Sequence, residues 1–115
     1  MKTVKTIGFQ GDVMFEKIKA IPSTAIKQDR NGPAIIVHSE TGHHHLVHDV
    51  GVTHFEDTKN PLICYLRLDD GFADVVHARS YDTHETVRLK GKARDIFKCR
   101  RQRERAPEGW RRVAD

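Results

Sequence analysis

Apolar and polar residues alternate in short runs along most of this chain, recurring about every eight to twelve residues between turn formers. The alternation predicts strands over Thr3 to Phe9, Val13 to Ile21, Ala34 to Glu40, His43 to Val50, Thr53 to Glu56, Leu62 to Leu68, Phe72 to Arg79, Thr86 to Leu89 and Asp95 to Arg101. Pro22, Asn31-Gly32-Pro33, Asn60-Pro61 and Asp70-Gly71 supply the breaks. No segment sustains the period of a helix. The expected fold is mainly β: a single-domain antiparallel sandwich or small barrel over residues 1–115. Its β core runs over about residues 1–105, with a short basic C-terminal extension over 106–115. The stretch after Pro107 reads as a tail or a short helix.

Turn chemistry predicts two hairpins. Thr41-Gly42 is a two-residue connection between Ala34–Glu40 and His43–Val50. Setting Glu40 opposite His43 sets His38 opposite His45 and puts all four on one face with Ile36 and Val47. Ile35, Val37, Ser39, His44, Leu46 and His48 take the other face. A three-residue turn with a bulge would instead pair Glu40 with His44 and His38 with Leu46. In the second hairpin, Asp70-Gly71 sets Asp69 opposite Phe72, Arg67 opposite Asp74 and Cys64 opposite His77, and the charges of Arg67 and Asp74 support that register. Leu62, Cys64, Leu66 and Leu68 then form an apolar face shared with Val75 and His77.

The first hairpin concentrates the chemistry, since residues 38–48 hold five of the eight histidines and one glutamate. Directly opposed side chains have Cβ atoms roughly 4.5–5.5 Å apart. His38, Glu40, His43 and His45 can therefore reach one ion at roughly 2.0–2.2 Å. Two histidines with a carboxylate suit iron or manganese; three histidines with an open position suit zinc, and imidazole also serves nickel. The expectation is a metal-binding protein holding one divalent ion. A catalytic ion would activate water or support oxygen-dependent oxidation of a small-molecule substrate, with Glu40 as ligand or general base. His84, flanked by Asp82 and Glu85, is a secondary candidate with His77 and Asp49, as ligand or as a partner orienting one. Without a metal, the same histidines would line a solvated face, make satisfied hydrogen bonds in a polar core, or titrate together as a pH sensor.

His43-x-His45 followed by Asp49 is similar to the first cupin motif, which implies a cupin-like barrel. The chain departs from that motif: the acid is aspartate, the later glycine is missing, and no P-x-G-x-x-H follows. The stretches SETGHHH, THETVRL, KCRRQRE and PEGWRRVAD resemble an uncharacterised group of small bacterial and phage-associated proteins with an E-T-G-H-x-H signature. That resemblance covers most of the chain from Gly11 onward and implies one compact domain without implying an activity.

Charge adds a second line of reasoning. Residues 1–87 hold 9 Lys and Arg against 12 Asp and Glu, while residues 88–115 hold 11 against 4. Arg100, Arg101, Arg103, Arg111 and Arg112 could contact the phosphates of a nucleic acid or an acidic protein, with Trp110 stacking on a base. The arginines could equally offset acidic groups of the same fold. The alternative function is thus a non-enzymatic binding or assembly protein of the kind a phage encodes. Cys64 and Cys99 form no C-x-x-C pair, and Lys2, Lys5, Gly8 and Gly11 interrupt the first residues as no secretory leader would be. Free thiols in a reducing cytoplasm are expected, with no membrane span and with edge strands open to homo-oligomer formation. No Walker loop, dinucleotide fingerprint or serine nucleophile elbow is present.

Overall fold

The computed structural model describes residues 1–37, 44–77, 85–106 and 109–112. Among them the strands are β1 (Lys2–Val4), β2 (Ile7–Gln10), β3 (Val13–Ile18), β4 (Ala25–Lys27), β5 (Ala34–Val37), β6 (His45–Val47), β7 (Val52–Asp57), β8 (Ile63–Leu68), β9 (Phe72–His77), β10 (Val87–Lys90), β11 (Asp95–Arg101), β12 (Arg103–Ala106) and β13 (Gly109–Arg112). One sheet has the order β1-β10-β9-β6-β5 and a second the order β2-β3-β11-β8-β7-β4. Pairing is antiparallel apart from β1, which lies parallel to β10. The mainly β sandwich expected from the alternation is what the chain forms.

Period-two alternation builds the core between the sheets. Ala73, Val75 and His77 of β9 are buried, while Phe72, Asp74 and Val76 between them are half-buried. Phe15, Leu66, Leu68 and Phe97 of the second sheet meet Ala34, Ile36, Val47, Val75, Val87 and Leu89 of the first in one apolar cluster. Full burial of each such Val, Leu or Phe contributes about 1.5–3 kcal/mol. Cys64 and Cys99 oppose each other across β8 and β11, both buried and both free. The Cys99 thiol and then burial hold Cys64 well above the ordinary thiol value, so it stays protonated and unreactive.

Several elements differ from expectation, for physical reasons. The run Thr3–Phe9 divides at Lys5-Thr6, where the chain crosses from one sheet to the other. The run from Val13 ends at Ile18, and β4 is a short edge strand too mixed in composition to be read. In the first hairpin Ala34 faces Val47, Ile35 faces Leu46, and a register shift then sets Val37 opposite His45. The expected opposition of Ile36 to Val47 is therefore not formed, since Ala34 takes the place opposite Val47, and the expected pairing of His38 with His45 falls on a residue outside the described ones. The assignment of faces holds: Ile36, His45 and Val47 are buried, and Ile35 and Leu46 less so.

The second hairpin does not exist as a hairpin. β8 is flanked by β7 and β11 on its two sides, so β9 has no free edge to pair with and crosses to the other sheet. The Gly71 amide donates to the Leu68 carbonyl at 3.0 Å, and Gly71 alone in the turn has positive φ, at 86°. A type I′ hairpin needs positive φ at two successive residues. Arg67 consequently lies beside Thr53 and Ile96 and pairs with Asp69 at 2.7 Å, while Asp74 pairs with Arg88 at 2.7 Å. At the C-terminal end β12 and β13 form a two-stranded ribbon where a tail or short helix was expected.

Candidate functional site

At one end of the sandwich the β2–β3 turn meets the start of β6, the end of β9 and the end of β11. β5 ends at Val37 and β6 begins at His45, while β9 ends at His77 and β10 begins at Val87, so the described residues that flank 38–43 and 78–84 belong to this end. A buried polar cluster occupies this end, composed of Gln10, Asp12, His45, His77 and Arg101. Its burial is unusual for such residue types, and each carries a defined contact.

Gln10 organises the cluster. Its amide nitrogen donates to the carbonyls of Val75 at 2.8 Å and Glu85 at 2.9 Å, so its oxygen is left facing His45 Nδ1 at 2.8 Å. An amide oxygen only accepts, which assigns the proton of a neutral His45 ring to Nδ1 and leaves Nε2 as its basic nitrogen. Nε2 stands 3.7 Å from Asp12 Oδ1. The other carboxylate oxygen, Oδ2, accepts from Arg101 Nε at 2.6 Å. The His45 ring stacks on that of its cross-strand neighbour His77, with centroids 4.2 Å apart and planes 8° from parallel. An imidazole whose Nδ1–H is held by an acceptor and whose Nε2 lies near a carboxylate is arranged as metal-binding histidines are.

Asp12 reaches this position through local geometry. Gly11, with φ of 58°, occupies the first place of the two-residue turn between Gln10 and Val13, as a Gly-X turn requires. The Gln102 amide donates to the Asp12 carbonyl at 2.7 Å, tying the turn to the end of β11. Charges in such turns are usually solvated; here Arg101 covers Asp12.

The residues singled out in the sequence divide into three groups. His45 and His77 are brought into contact, although His77 was expected beside Cys64. Asp49 lies four residues beyond His45, roughly 13 Å of extended chain away. There its carboxylate accepts the Asp74 amide at 2.8 Å, and its carbonyl accepts from Arg30. His38, Glu40, His43 and His84 lie outside the described residues. Among the described residues, no group of three or more His, Cys, Asp or Glu side chains is disposed to hold a metal ion. Arg101 is a correction to the basic surface drawn from the sequence, because it turns inward to the Asp12 carboxylate and is 4% exposed. Arg100 is exposed, and the ribbon sets Arg103 opposite Arg112, Glu104 opposite Arg111 and Arg105 opposite Trp110. Gln10 and Asp12 were missed by sequence reasoning; the Gly-Asp turn was readable, but not its burial.

The profile of a domain of unknown function, DUF8820, matches residues 9–102. The chain belongs to the DUF8820 family. The matched span runs from the second half of β2 to the end of β11, and takes in every residue of the buried cluster. No curated protein and no solved structure matches the chain. No helix among the described residues is long and apolar enough to cross a membrane.

Proposed function

We propose that this DUF8820 domain binds one divalent metal ion at the sandwich end where its histidine-rich segment joins the body. The observation that carries this reading is the setting of His45, whose Nδ1 is held by Gln10 and whose Nε2 lies 3.7 Å from the Asp12 carboxylate. His38, Glu40 and His43 would supply further donors from the adjoining segment, and His84 one from the segment between β9 and β10. His77 would act as a packing partner of His45 or as a ligand. Imidazole and carboxylate donors suit iron, manganese, zinc or nickel. Such an ion, when bound, supplies Lewis acidity toward water or a small substrate. The protein's own part is to fix the His45 tautomer and to hold the Asp12 carboxylate beside Arg101.

Elemental analysis of untagged protein purified without chelating resin tests the reading. About one equivalent of a transition metal is expected, lost in His38→Ala/His43→Ala with the metal-free melting temperature unchanged. Protein that is metal-free and takes up none of the four ions would end the proposal.

A second reading draws on the β12–β13 ribbon, whose register brings four arginine positions and Trp110 into cross-strand pairs. It makes the domain a binding or assembly module for nucleic acid. Arg100→Glu/Arg103→Glu would then weaken binding to an oligonucleotide, and the salt dependence of that binding would become shallower. Unchanged affinity in fluorescence anisotropy would remove this reading.

A further inference from the structure

The flank of the sandwich where the chain crosses between sheets carries a different chemistry. One crossing, Lys5-Thr6, joins β1 to β2; another, residues 91–94, joins β10 to β11. The two border an open depression of about 350 Å³ lined by Lys5, Thr6, Lys17, Lys90, Gly91, Lys92 and Asp95. Backbone bonds fix its walls: the Lys17 amide donates to the Thr6 carbonyl at 2.8 Å, and the Gly91 amide to the Gly71 carbonyl at 2.9 Å.

The one carboxylate of the lining is already committed. Asp95 Oδ2 accepts from the Lys92 amide at 2.8 Å and from Lys17 Nζ at 3.1 Å. Lys5, Lys90 and Lys92 are all exposed, and none makes an ion pair among the described residues. Lys5, Lys90 and Lys92 border one concavity, so an anion there meets several positive charges at once, and a single carboxylate offsets only part of that charge. Lysine binds phosphate as a point charge, and clustered phosphoryl oxygens match several such charges at once.

We infer that this depression is a binding site for a small ligand bearing two or more phosphoryl groups. It is separate from the histidine end and independent of the metal reading: Lys90 ends β10 at the end of that strand remote from residues 78–84.

The test is an NMR titration of the full chain with sodium tripolyphosphate, against sodium chloride at matched ionic strength. Saturable shifts confined to Lys5, Thr6, Lys17 and residues 90–92 are expected, weakened about tenfold or more in Lys90→Gln/Lys92→Gln. Both substituted side chains are solvent-facing, so the melting temperature should hold; Lys5→Gln serves as a second variant with the same expected direction. Shifts no larger than those from chloride would overturn the inference and leave the lysines as guards of the sheet margin. Binding of oligothymidylate but not of tripolyphosphate, lost in the same variants, would also overturn it, since the cations would then contact a phosphodiester backbone.

Discussion

Asp12 and Arg101 are the pair on which the histidine end depends, because both are almost fully buried and joined at 2.6 Å. Removing one partner strands the other charge away from water, at a cost of about 3–5 kcal/mol. Asp12→Asn is therefore expected to lose that much in urea denaturation, and Asp12→Asn/Arg101→Met to lose less than the two single changes together; strict additivity would show that the groups do not act as a pair. At the surface, the Arg88 guanidinium beside Asp74 holds its carboxyl below the ordinary carboxylate value. A folded pKa that is lowered gives stabilisation present above the unfolded value, about 4, and lost as pH falls through the folded one. Asp74→Asn should accordingly melt with a shallower loss between about pH 5 and pH 2 than the parent chain. Little of this was legible residue by residue. Alternation identified which side chains point inward, including His45, but Arg101 shares a face with Phe97 and Cys99, and only its meeting with a distant Asp12 makes that position tolerable.

At the scale of elements, strand positions followed from composition, whereas partners did not. Asp95–Arg101 forms the strand its sequence implies, with β-branched Ile96 beside Phe97, and Phe97 and Cys99 buried at alternate places. The Asp70-Gly71 turn lies where expected, but what it joins depends on which strand edges are already taken. Leu68 faces Val52 on one side and Asp95 on the other, and no local signal reveals that crowding. Gly71 is held there at positive φ, and a Cβ would stand 3.1 Å from the Gly91 carbonyl. Gly71→Val should cost about 1–3 kcal/mol through backbone strain. Thermal melting checks this, and an unchanged midpoint would mean the crossing can adopt another turn. Local composition is equally silent on the irregularity between Ile35 and Val37 that sets Val37 against His45.

In the whole molecule, the two sheets make one β sandwich, and the two candidate sites lie on different parts of it. The histidine end gathers turns and strand ends from β2 to β11, while the lysine flank gathers crossings. Neither could be assembled from sequence distance: Gln10 reaches Glu85, and Lys5 shares a depression with Lys90 and Lys92. The parallel pairing of β1 with β10, and the place of β11 between β3 and β8, have a further consequence for a chain made from its N-terminus. During synthesis the β2–β3 hairpin and the β7–β8 hairpin emerge complete, yet each keeps a bare margin until residues 95–101 arrive to join them. The ribosome-bound chain thus passes through a stage in which its second sheet is two ribbons with open backbone, and this is when pairing with a neighbouring nascent chain competes with closure. Glu16 and Lys17 of β3, which end opposite Lys98 and Phe97, place charge on that waiting margin.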